Sequence, residues 1–174
     1  MISEVSICNQ ALTWLGQDPV TTLDGSLDTQ KWMTANYEPL RDAVIESRMW
    51  RFAKVRAVSE TSEKDGWGIR YAHPIPNDWL QVFRVFKDIG QNYETKSRGW
   101  QREGDYVLSQ DAKVYMWGVQ RVTDTGKFTL LFVQTLAARL AADGAIPLTQ
   151  NRQLQADMWN LYEAKLAEEW GGHT

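Results

Sequence analysis

Residues 128–145 read FTLLFVQTLAARLAADGA, a stretch so apolar and so rich in alanine that it constrains the rest of the chain. Alanine and leucine favour helix, and a helix apolar on all sides has to be covered on all sides. Other helices must therefore surround this one. Gly144 and Pro147 are expected to stop it, and Thr149 is placed to cap a last helix from Gln150 to about Gly171. In that last helix Leu154, Met158, Leu161 and Tyr162 fall on an inward face, with Glu163, Glu168 and Glu169 outward.

The opposite end of the chain supplies partners. Val5, Cys8, Leu12 and Leu15 recur at helical spacing over residues 3–16, with Ser3 as a cap and Gly16 as a stop. QDPVTTLDGS follows as a connecting loop. A second helix is expected from Leu27 to Ala53, striped by Met33, Tyr37, Leu40 and Val44, and Pro39 inside it should kink it near Asn36 or Tyr37. Arg48, Arg51 and Lys54 gather where its dipole would favour cations.

Between these helical ends the pattern changes. KVRAVSE, IRYAHPIP, LQVFRVF, NYETKSR, DYVLS and KVYMWGVQRV are short, β-branched and aromatic, and turn residues separate them. Pro74 and Pro76 confine the second of these strands to an edge or end it early. The expected fold class is α+β: a helical bundle from residues 1–53 and 123–174, with a small antiparallel β region, 54–122, inserted.

A chain of 174 residues can bury enough surface to fold without disulfides or metal. Its one cysteine, Cys8, excludes an internal disulfide and any Cys-rich zinc site, and an intracellular site of synthesis is the simplest expectation. No run is long enough for a membrane span, and MISEVSICNQ lacks the pattern of a signal peptide. The net charge of -3 argues against a general nucleic-acid binder. Nine tryptophans are more than so small a core can centre, so some are expected at the surface as interface anchors.

Catalytic signatures are missing. Gly126 and Lys127 lack the earlier glycine of a phosphate-binding loop, and Gly66 and Gly68 have no third glycine for a dinucleotide turn. His73, expected to be a partly exposed strand residue, and His173, near the end, make neither a zinc site nor a triad. Cys8 reads as a small buried hydrophobe. RMWRFAKVR interleaves cations with aromatics, but a helix end followed by a strand accounts for it more simply. A tail-associated peptidoglycan hydrolase stands as the alternative class. It would need two of Glu38, Asp42, Glu46 and Glu163 to share a cleft, and the default for these carboxylates is a solvated helix face.

Four segments, in order, resemble the head-to-tail adaptors of short-tailed bacteriophages, the tail tubular protein A family. They are VSICNQALTWLG, YEPLRDAVIESRMWRFA, PNDWLQV (Pro76, Asp78, Leu80, Val82) and FTLLFVQTLAARLAADGAIPLT, where Thr135 stands in place of a family alanine. Each motif alone is a core pattern; their shared order and spacing carries the resemblance. It implies a virion protein of the tail or neck, made in the host cytoplasm. Such a protein forms a ring, typically twelve-fold, between the portal protein and the tail nozzle protein. The ring extends the DNA channel, helps retain the packaged genome and touches the channel DNA loosely, without regard to sequence. No cofactor, metal or catalytic residue comes with the family. A neck protein of a longer-tailed phage is a further reading of the same role.

Within that resemblance the bundle and C-terminal tail are expected to meet the portal, and the β loops the nozzle. Trp170, Gly171, Gly172 and His173 are candidate portal contacts, a frayed terminus being the alternative reading of the same residues. Loops Glu60–Gly68 and Asp88–Gly104 suit contacts that order on assembly. They offer Asp65, Trp67 and Trp100 as candidate nozzle or subunit contacts.

Overall fold

A computed structural model describes residues 1–90, 94–97 and 99–171. The chain is α+β and divides into two compact units, Ala53–Arg121 and the chain on either side of it.

The helical unit holds α1 (Glu4–Trp14), α2 (Asp28–Ser47), α3 (Leu130–Thr149) and α4 (Arg152–Gly171). Helix α3 packs against each of the other three. That is the coverage its composition demands: Phe132, Leu136, Ala137, Ala138, Leu140, Ala141, Ala142 and Ala145 are all buried. Full burial of leucines such as Leu136 and Leu140 stabilises the unit by about 1.5–3 kcal/mol each.

Helix α1 begins with a reciprocal cap, in which the Ser6 amide donates to Ser3 Oγ at 3.0 Å and the Ser3 amide to Ser6 Oγ at 2.8 Å. It ends at Gly16, whose φ of +71° suits a residue without Cβ. Asn9 then pins the following loop. Its amide nitrogen donates to the Val20 carbonyl, and its oxygen accepts from the Val20 amide, both at 2.8 Å. This clamp holds Val20 buried in the unit.

Helix α2 stops at Ser47, earlier than Ala53. The Val44 carbonyl accepts instead from Trp50 Nε1 at 2.8 Å and from Ser47 Oγ at 2.7 Å, so side chains replace the amide of a continuing turn. The last turn consequently holds no cation. Arg48 is its extended C-cap, and Lys54 belongs to a strand. Trp50 enters an aromatic cluster instead, with its ring centroid 5.1 Å from Phe132, while Phe52 stands 4.7 Å from Phe132 and 5.4 Å from Phe128.

Neither Gly144 nor Pro147 stops α3, which continues to Thr149 and closes on Gln150 in the left-handed conformation. Gly144 has a packing role: a Cβ there would lie 3.2 Å from the Trp32 ring. Asn151, rather than Thr149, caps α4, its side-chain oxygen accepting from the Leu154 amide at 3.0 Å. Arg139 ties α3 to α4, pairing with Asp143 at 3.3 Å while its guanidinium lies 4.9 Å from the Trp159 ring centroid.

The β unit has seven strands: β1 (Lys54–Glu60), β2 (Tyr71–Pro74), β3 (Trp79–Ile89), β4 (Glu94–Lys96), β5 (Gln101–Glu103), β6 (Tyr106–Ser109) and β7 (Lys113–Gln120). They form two antiparallel sheets, ordered β1-β7-β3-β4 and β2-β6-β5. Strand β2 is an edge ending at Pro74, as the missing donor requires. The expected loop 88–104 contains β4 and β5, while residues 91–93 and 98 lie outside the described residues. The core between the sheets gathers Val82, Val85, Val107, Val114 and Met116.

Candidate interaction surface

The loop joining β1 to β2 is built around Asp65. Its Oδ1 accepts from the Trp67 amide at 3.1 Å and from the Ile69 amide at 3.0 Å. The Asp65 amide donates to the Arg70 carbonyl at 2.8 Å, and the Gly68 amide to the Asp65 carbonyl at 3.0 Å. Gly68 supplies the required φ of +70°. The hydrogen bond from the Ile69 amide does most to hold the Asp65 carboxyl below its ordinary value; desolvation opposes it, and the backbone N–H groups of Trp67, Arg70 and Gly68 add to it. At the loop base, Lys64 Nζ sits 3.6 Å from the Tyr71 ring centroid.

This bracing presents Trp67 and Ile69 to solvent, 88% and 58% exposed. Trp67 is the one tryptophan among those described that is mostly exposed; Trp50 is buried, and Trp14, Trp32, Trp79, Trp100, Trp117 and Trp159 are half-buried. A hollow of about 450 Å³ adjoins the loop, lined by Trp67, Ile69, Arg70, Gln101, Glu103 and Leu108. Indole and isoleucine fixed on a turn and surrounded by charged residues have the composition of an interface anchor, apolar contact area already ordered before binding.

The other candidates each have a setting of their own. Asp65 supports Trp67 from beneath. Trp100 is half-buried and packs against the core between the sheets. Trp170 and Gly171 belong to the last turn of α4, and Gly172 and His173 lie outside the described residues.

His73 corrects the sequence reading, being fully buried instead of partly exposed. Its Nε2 lies 2.8 Å from the Asp111 carbonyl oxygen and its Nδ1 2.8 Å from Ser59 Oγ. A carbonyl can only accept, so Nε2 carries a proton, and in the neutral ring Nδ1 then accepts from the Ser59 hydroxyl. A second chain of bonds runs alongside. Ser97 donates to the Asp111 carboxylate at 2.9 Å and lies 2.6 Å from Ser109 Oγ, which takes the Asp111 amide at 3.1 Å. The sequence pattern could not show this, because the partners stand 14 and 38 residues away.

Cys8 is buried, and burial, with the Glu4 carboxylate adding to it, pushes its thiol up to about 12, far from a nucleophile's range. Glu38 lines a hollow with Glu4, Asp24 and Lys31, and Glu163 is not among the residues around it. Glu38, Glu46 and Glu163 are exposed, and Asp42 pairs with Arg41 at 2.9 Å. Among the described residues, no three His, Cys, Asp or Glu side chains come together as a metal ion would require, and no helix is long and apolar enough to cross a membrane.

No family model matches the chain, and no curated protein matches it.

Proposed function

We propose that this chain is a subunit of a head-to-tail adaptor ring of a short-tailed phage, placed between the portal and the tail nozzle. The ring extends the DNA channel and helps retain the genome, and no catalysis is involved. The observation that carries the proposal is where the adaptor-like motifs fall. Asn9, Ala11, Leu12 and Gly16 of the first segment make the Val20 clamp, the α1 core face and the α1 stop. Tyr37, Arg41, Ile45 and Trp50 of the second are buried. Phe132, Leu136, Leu140 and Ala145 of the fourth form the buried face of α3. Three motifs far apart in sequence thus serve one helical unit. The exposed Trp67 loop adds a fixed apolar anchor on the β unit, and a head-to-tail ring needs such surfaces because each subunit contacts two neighbours through different patches.

Light scattering after size exclusion tests the proposal, first on the protein alone and then mixed with the portal ring of the same phage. Several copies of this chain should travel with each portal. Trp67→Ala should leave the fold intact and weaken nozzle or subunit association by roughly 30-fold or more, the loss of an interface hot spot. A folded monomer that joins neither portal nor nozzle protein at any salt concentration would remove the proposal.

A further inference from the structure

One face of the sheet containing β1, β7 and β3 is basic and aromatic. A single rung across it reads Arg56, Trp117, Arg84. The Trp117 ring has Lys54 Nζ at 3.9 Å from its centroid, Arg56 Cζ at 4.8 Å and Arg84 Cζ at 5.7 Å. Phe86 supports the same ring edge-on at 5.2 Å. Further along β7 on this face, Lys113 Nζ lies 5.7 Å from the Tyr115 ring. Arg56, Arg84 and Lys113 are exposed, and among the described residues none has a carboxylate within ion-pair distance. Glu60, at the far end of β1, shares the face by strand alternation, and at its other edge β4 pairs Glu94 with Ile89.

We infer that this face binds the phosphate backbone of a nucleic acid, without reading its sequence. Charge decides the occupant. On a chain of net charge -3, the three exposed cations Arg56, Arg84 and Lys113 on one surface of the sheet form a local positive field that attracts a polyanion. Contact with the Trp117 face holds Arg56 and Arg84 in place, so they meet phosphate oxygens with little ordering cost. Arg56 and Arg84 stand two strand spacings apart, about 10 Å, which several phosphates span. Beside the rung, a hollow of about 340 Å³ lined by Val58, Ile89 and Tyr115 gives an unpaired base an apolar seat. The inference concerns this face alone and holds whether or not the chain joins a ring.

Fluorescence anisotropy with labelled 20-nucleotide DNA, single-stranded in one arm and duplex in the other, tests it on the full chain. Three phosphate contacts on duplex give an affinity that falls about 40-fold between 50 and 200 mM salt. In the Arg56→Gln/Arg84→Gln variant affinity should drop, and the salt effect should shrink to about 4-fold. Near-UV circular dichroism establishes that the variant is folded; Lys31→Gln, on exposed α2 surface, should bind as the parent does. Tighter binding of the single strand would assign the apolar hollow to a base. Absence of binding to both DNAs at 50 mM salt, unchanged binding by the folded double variant, or equal binding of poly-glutamate would each overturn the inference.

Discussion

Gly118 and Gly144 invite the same substitution with opposite results. At Gly118, in the middle strand β7, an added Cβ would lie 2.2 Å from the Gln81 carbonyl oxygen and 2.8 Å from the Trp79 ring. That is roughly 1 Å short of ordinary contact, and the obstacle is the backbone of paired strand β3. Relief requires β3 to separate from β7, so Gly118→Ala should cost the β unit about 3 kcal/mol or more, the upper range for overpacking. At Gly144 the Cβ would meet Trp32 ring atoms at 3.2 Å and Leu148 Cδ1 at 3.5 Å. Side chains can yield by a few tenths of an ångström, and alanine gains about 0.8–1.0 kcal/mol over glycine inside a helix. Gly144→Ala should therefore change stability by less than about 1 kcal/mol. Hydrogen exchange followed by mass spectrometry reads the units separately. Gly118→Ala should lower protection in β3 and β7 and leave α3 unchanged. Equal protection of β3 in parent and Gly118→Ala would show that the strands are not paired as described.

Three further outcomes follow from the buried and braced groups. His73→Leu leaves the Ser59 hydroxyl and the Asp111 carbonyl without their partner, and should destabilise the β unit by about 2–4 kcal/mol in a urea titration; a loss under 1 kcal/mol would mean water or another group replaces the imidazole. Cys8 should resist a thiol reagent in the native protein at pH 8 and react fully in urea, since its thiol stays protonated while buried. Fast native labelling would contradict the burial. The Asp65 carboxyl titrates below its ordinary value in the folded loop, so its contribution to loop order is present above about pH 4 and lost as pH falls through the lowered folded value. Protection of the Trp67 and Ile69 amides, taken relative to the intrinsic exchange rate at each pH, should fall there, and Asp65→Ala should show the same low protection at neutral pH.

Much of the architecture follows from local pattern. The apolar, alanine-rich stretch at residues 128–145 requires a covered helix, and α3 is covered by three. The β-branched segment KVRAVSE spans the same residues as β1, and Ser3 and Gly16 act at α1 as cap and stop. These features depend on neighbours in sequence, so side-chain spacing suffices to read them. Helix ends depended on distant groups instead. Trp50 folding back to the Val44 carbonyl ended α2, and packing against Trp32 gave Gly144 a place inside α3. The candidate contacts divide in the same way. Trp67 lies in a polar, turn-forming run that sequence marks as a loop, whereas Trp100, in a similar run, meets the core through β-sheet packing. The buried role of His73 and the Arg56–Trp117–Arg84 rung arise only when strands distant in the chain pair in one register. Sequence determined which segments become helices and strands, because local sterics and apolar period set that. Tertiary structure decided which side chains meet, because strand register and helix packing join residues that no local pattern links.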